Sequence, residues 1–196
     1  MLSIVIGSIQ GKNYLTTFKI GSQVIRELSN DWQVTTWQQE DINLTDKETT
    51  LLIRNPYTRF YSGIVQATVF IRPKTIPSFD FKDVPHWDKC DNFFIHNLNN
   101  YWSLLKLDPH LLPYHRTAFQ LVNSYSNYTV LDIKNWNIEG TTQEMRHSNS
   151  VYYPAVEKAL NSSKLKKRVK TSIDKLLKRE YHFYKLLSSK RNHILI

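Results

Sequence analysis

Short apolar runs separated by polar turns recur along the chain, and their spacing alternates between strand and helix periods. Leu2–Ile6 (LSIVI) is a compact apolar run, and Tyr14–Ile20 (YLTTFKI) is a second candidate strand. Gly21 and Ser22 interrupt it, after which SQVIRELSN sets Val24, Ile25 and Leu28 on one helical face, with Ser22 suited to cap the helix. Trp32–Trp37 reads as another short strand. Thr49–Ile53 (TTLLI) is the clearest central strand, mostly β-branched and apolar, stopped by Arg54-Asn55-Pro56. Pro56 fits the first turn of a helix, where its missing N–H costs nothing. From Tyr57 to about Phe70, Phe60, Ile64 and Ala67 form one helical stripe. Residues 71–92 hold Pro73, Pro77 and Pro85 and read as an irregular excursion. Helix returns over Asn92–Leu105, Asp108–His115 is a loop, and Tyr128–Ile133 is a late strand. Pro154–Leu160 and the Lys164–Leu187 region close the chain as helices, the last with Ile173, Leu176, Leu177, Tyr181 and Tyr184 on its apolar side.

Strands alternating with helices predict an α/β fold: a three-layer domain with a mostly parallel central sheet flanked by helices. A chain of 196 residues suits one such domain. Ligands of these sheets bind beyond the C-terminal strand ends. Two strand ends carry suitable chemistry, Ile20-Gly21-Ser22 and Ile53-Arg54-Asn55.

Charge changes this picture in one place. The formal net charge is +9, yet from Lys158 onward there are 12 Lys or Arg against 2 Asp or Glu, leaving 14 against 15 before it. The basic segment suits a nucleic acid, a phosphorylated cofactor or an acidic polymer, and equally a solvated helix face. Cys90 is the only cysteine, which excludes an intrachain disulfide. No apolar run is long enough to span a bilayer, and the opening residues lack a basic n-region. A soluble, intracellular (cytoplasmic) protein is expected.

At the first strand end, Gly21 permits a tight turn, the helix start presents N–H groups, Lys19 supplies a mobile charge and Ser22 a hydroxyl. A plain strand–turn–helix would look the same, and there is no Walker string. At the second, Arg54 offers a rigid fork, with Ser62 two turns into the helix. Arg59 either reaches the same anion or pairs with a carboxylate and holds the corner together. Two ordinary surface arginines beside a helix cap would give this spacing too.

Arg54-Asn55-Pro56-Tyr57-Thr58-Arg59-Phe60-Tyr61-Ser62-Gly63 resembles the R-[DN]-P-x-x-R-x-x-S-[AG] signature of sulfotransferases that use 3′-phosphoadenylyl sulfate (PAPS), nearest to the carbohydrate (Golgi-type and microbial) members. Phe18-Lys19-Ile20-Gly21-Ser22-Gln23 is similar to the family's other phosphate loop, P-K-[TSV]-[GA]-[ST]-[ST]; Phe18 replaces the proline and Gln23 the second hydroxyl residue. Asp108-Pro109-His110 through Tyr114 resembles the D-x-H-x-x-P-Q/Y segment, whose histidine lies near the acceptor.

The resemblance implies a P-loop-like fold and sulfonate transfer from PAPS to an acceptor hydroxyl on a carbohydrate, with adenosine 3′,5′-bisphosphate (PAP) as product and no metal required. It implies that Arg54 and Ser62 hold the 3′-phosphate, with Arg59 at the same corner. Lys19, Gly21, Ser22 and Gln23 cradle the 5′-phosphosulfate. Lys166 and Arg168 of the basic segment close over the cofactor, as such segments do in related enzymes. Neutral imidazole suits a base near pH 7, so His110 is the first candidate and His115 the second. Glu27 and Glu40 are less distinctive alternatives. His86 and His96, near Asp83, Asp88 and Asp91, make a metal site conceivable without a ligand-spacing motif. Trp87 and Trp102 are candidate acceptor contacts. Two competing readings remain: a nucleic-acid-binding protein using the basic C-terminal helix, and a PAP- or PAPS-binding relative that has lost transfer.

Overall fold

The computed structural model describes residues 2–36, 48–71, 90–124, 127–138 and 150–190. Five strands form one sheet in the order β3-β1-β2-β4-β5: β1 (Ser3–Ile9), β2 (Lys12–Thr16), β3 (Gln33–Thr36), β4 (Thr49–Ile53) and β5 (Tyr128–Asp132). Helices α1 (Ser22–Leu28), α2 (Pro56–Val65), α3 (Asp91–Leu105), α4 (His115–Ser124), α5 (Tyr153–Asn161) and α6 (Lys167–Lys190) flank it.

The α/β class agrees with the sequence pattern; the strand directions agree in part. β2 runs parallel to β4, and β4 to β5, as alternation predicts. β1, however, is antiparallel to both β2 and β3, so the sheet is mixed. The cause is local. Gln10 and Gly11 both take positive φ, 52° and 77°, and two such residues in succession make the tight turn whose twist suits a hairpin. The phosphate-loop candidate therefore follows the second strand. That strand also ends early, at Thr16, because Lys19 (φ 66°) and Gly21 (φ 72°) are left-handed and turn the chain out of the sheet.

At α1, Gly21 occupies the cap position and Ser22 is already helical, with no side-chain cap. At α2 the sequence reading holds: Pro56 opens the helix, and Asn55 Oδ1 accepts from the Tyr57 N–H at 2.9 Å. Phe60, Ile64 and Ala67 are buried as their stripe predicts. Beyond Val65 the helix widens into a π-helical stretch, Gln66–Ile71.

Apolar side chains gather in two clusters. One lies against the sheet, around Leu15, Ile25, Leu51, Leu52, Tyr114 and Leu187; the other joins the helices, around Phe60, Ile64, Phe94, Leu98 and Leu177. Helix α6 enters both, through Ile173 and Leu177 at one end and Tyr184 and Leu187 at the other. Each such apolar side chain contributes about 1.5–3 kcal/mol of burial, which is why a helix this cationic stays docked. No helix among the described residues is long and apolar enough to cross a membrane.

Candidate functional site

Parallel pairing of β2 with β4 brings their C-terminal ends side by side, so the Thr17–Gly21 turn and Arg54 become neighbours. The turn is held from within: the Ile20 N–H donates to the Thr17 carbonyl at 3.2 Å, and Thr17 Oγ1 donates to the Ser3 carbonyl at 2.6 Å. Only glycine fits at position 21, because an added Cβ would lie 2.4 Å from Cζ3 of Trp136. Lys19 sits left-handed without that freedom, a conformation costing roughly 1–2 kcal/mol that a surrounding contact must offset. Arg54 makes that contact. Its Nη1 donates to the Lys19 carbonyl at 2.8 Å, its Nε to Thr58 Oγ1 at 3.2 Å, and its Nη2 to the Tyr153 hydroxyl at 2.9 Å.

The Lys19 ammonium donates to Gln66 Oε1 at 2.6 Å. Burial first, then the Arg54 guanidinium, lowers its pKa to about 8, with Asp108 opposing them. Gln66 opens the π-helical stretch, and such widenings are frequent at functional sites.

The 108–112 turn supplies the opposite wall. Asp108 Oδ1 accepts from His110 twice, from its backbone N–H at 2.8 Å and from Nδ1 at 2.7 Å. The imidazole stacks on Phe18, ring centroids 4.7 Å apart. Helix α2 holds this turn in place. Arg59 Nη2 donates to the Leu112 carbonyl at 2.6 Å, and a Cβ on Gly63 would fall 2.5 Å from the His110 carbonyl oxygen. The small residue after Ser62 is thus a packing requirement. Lys19, Ser22, Gln23, Gln66, His110 and Trp32 line one open, largely polar cleft of about 440 Å³.

No family model, curated protein or solved structure matches the chain. The reading of the site therefore rests on its geometry and on the motifs.

Of the candidate residues, Lys19, Ser22, Gln23, Glu27 and His110 share this cleft, Glu27 Oε1 accepting from Gln23 Nε2 at 2.9 Å, and Gly21 and Arg54 shape the cleft through the Lys19 turn. Ser62 is buried on α2, 4% exposed, and does not line the cleft. Arg59 is also buried and outside the cleft lining, and its Nη2 partner is neither an anion site nor a carboxylate but the Leu112 carbonyl. His115 does not join His110. It is wholly buried at the start of α4, with Nδ1 2.8 Å from Glu180 Oε2, an oxygen that also accepts from the Tyr114 and His115 N–H groups. Burial alone would raise the pKa of Glu180, but the His115 hydrogen bond, helped by Arg59, holds it at about 2. A proton acceptor sealed in this way has no access to an acceptor hydroxyl.

Lys166 and Arg168 lie away from the cleft lining; Lys166 is tied to α3, its N–H donating to Asn99 Oδ1 at 2.8 Å. Trp102 is a core residue, 8% exposed, with Nε1 donating to Ser172 Oγ at 3.0 Å. His96 sits on α3 beside Asn100, and Asp91 pairs with Lys158. Among the described residues no group of three or more His, Cys, Asp or Glu side chains is placed to hold a metal ion. Glu40, Asp83, His86, Trp87 and Asp88 lie outside the described residues.

Sequence reasoning missed Gln66, Tyr153 and Glu180, which reach the site or its support across 47, 99 and 65 or more positions of chain. No local signal marks them. Asp108 was visible inside its motif without a role.

Proposed function

We propose that this chain is a PAPS-dependent sulfotransferase with a P-loop-like phosphate site, acting on a hydroxyl of a carbohydrate. The observation that carries the reading is the contact between the two motif-bearing strand ends, Arg54 Nη1 on the Lys19 carbonyl at 2.8 Å. That two motifs 35 residues apart meet supports a site that grips both ends of a bisphosphorylated nucleotide. On this reading the Lys19–Gln23 turn receives the 5′-phosphosulfate. Arg54 exchanges its Tyr153 contact for the 3′-phosphate, and Ser62 lies two turns into the helix that follows Arg54.

The reaction then follows from charge and proximity. The acceptor oxygen attacks sulfur as its proton passes to His110 Nε2. The bond between sulfur and the 5′-phosphate oxygen breaks, and PAP leaves. The Lys19 ammonium stabilises the charge that builds on the transferring group and leaving oxygen, an interaction stronger in the transition state than before it. Trp32, 39% exposed on the cleft wall, carries the Arg26 guanidinium 4.8 Å from its ring centroid, and a sugar would stack on its opposite face.

Calorimetric titration with PAP tests the assignment. Saturable binding by the wild type and loss of affinity in folded Arg54→Ala are expected; equal affinity in the two proteins would remove the basis of the reading.

One observation favours a second reading. Lys167, Arg168, Lys175, Lys178, Arg179 and Lys185 are exposed on α6, and none pairs with a carboxylate among the described residues. A nucleic-acid binder would lose affinity when Lys175, Lys178 and Arg179 are neutralised, and with rising salt, while Arg54→Ala would leave it unchanged.

A further inference from the structure

We propose that Asp108 is the positioning residue of the cleft: it holds His110 with Nε2 free to accept the acceptor's proton. The inference rests on the sulfotransferase reading for its chemistry, but its geometry stands alone.

A single carboxylate oxygen, Asp108 Oδ1, receives both the His110 N–H and Nδ1. Burial opposes ionisation of Asp108, yet the His110 hydrogen bonds and the Lys19 charge keep its carboxyl below the usual range. An ionised carboxylate only accepts, so Nδ1 carries a proton, and in the neutral ring the lone pair is on Nε2. The ring cannot swing away. Phe18 stacks on it, and the Leu111 N–H closes the turn on the Asp108 carbonyl at 2.9 Å.

Both side chains are 14% exposed, open enough to meet an acceptor, whereas the other histidine–carboxylate pair is sealed at 0% and 2%. When the acceptor hydroxyl loses its proton to Nε2, the imidazolium that forms is stabilised by the carboxylate already on Nδ1. The proton rests on His110, sulfur gains the acceptor oxygen, and the electron pair of the broken bond leaves with PAP. Asp108 is not itself protonated.

A turn-closing role alone would explain the bond to the backbone N–H, because an aspartate two residues back commonly makes that bond. The test must therefore separate turn from tautomer. Histidine-selective ¹⁵N NMR, with the His110 signals assigned through His110→Gln, reads the tautomer directly. The wild type should show Nδ1–H. Asp108→Ala should revert to Nε2–H, the form free imidazole prefers.

Asp108→Asn keeps an oxygen for the turn but removes the charge. It should lower kcat at least about 10-fold, short of the 10²–10⁴-fold expected for removing the base itself. An Nε2–H tautomer in the wild type, or wild-type kcat in Asp108→Asn, would overturn the proposal. Failure of the wild type to bind PAP would instead overturn the sulfotransferase reading, and the spectrum would still decide how His110 is held.

Discussion

The molecule uses an arginine, a carboxylate and a histidine twice, to opposite ends. In the cleft, Arg54, Asp108 and His110 surround a strained lysine turn and stay partly open to solvent. Beneath it, Arg59, Glu180 and His115 are buried at 2%, 2% and 0% exposure and join α2, α4 and α6. The chemistry of the groups is alike, and burial alone separates their roles. A carboxylate that caps two backbone N–H groups and a histidine in the core locks helices together. A carboxylate that fixes one imidazole at a cleft edge leaves a nitrogen available for work. Arg59 links the two regions: from the buried set it donates to the Leu112 carbonyl, and so carries the turn that presents His110.

The largest expected difference lies in stability. Glu180→Gln removes a buried carboxylate that accepts from two backbone N–H groups and His115 Nδ1, and should cost about 3 kcal/mol, which in a chain this size lowers Tm by about 10 °C. Asp108→Asn at the cleft should cost less than about 1 kcal/mol, because its pair is part-exposed. Thermal unfolding of the two variants side by side checks this, and equal losses would erase the division.

Ligand binding should reverse the order. Arg54→Ala removes a charged fork and should weaken PAP by about 1.5–3 kcal/mol, or roughly 10- to 150-fold. Trp102→Phe should leave PAP affinity unchanged while losing about 1 kcal/mol of stability with its bond to Ser172.

pH separates the regions as well. Lys19, with its pKa lowered to about 8, is protonated below that pH and neutral above it. PAP affinity should accordingly fall as pH rises through 8, and Lys19→Met should flatten the profile. Glu180 titrates the other way round. Its folded pKa, about 2, lies below the ordinary 4.5, so its contribution to stability is whole above pH 4.5 and is lost as pH falls towards 2. Acid unfolding should be displaced in Glu180→Gln and nearly unchanged in Lys19→Met.

The most local prediction concerns the contact of α2 with the cleft turn. Gly63→Ala presses a methyl group against the His110 carbonyl and should cost about 1–3 kcal/mol, with a fall in kcat larger than any change in PAP affinity. A Gly63→Ala protein with unchanged kcat would detach α2 from the cleft.

What the chain states by itself is periodic or contiguous. The TTLLI strand, the Pro56 helix start, the Phe60–Ile64–Ala67 stripe and the apolar side of α6 follow from side-chain spacing, and each lies where spacing puts it. Lys19 and Arg54 were legible as strand-end chemistry because each sits where an apolar run stops. Tertiary structure decided the rest. The reversal of β1 came from two positive φ angles at Gln10 and Gly11, which the alternation of strands and helices conceals. The two histidines of the 108–115 segment stand five residues apart, and the sequence ranks them without revealing their surroundings. Only the docking of α6 puts Glu180 on His115 and leaves His110 at the cleft, because burial depends on partners 65 residues away and no local pattern encodes them.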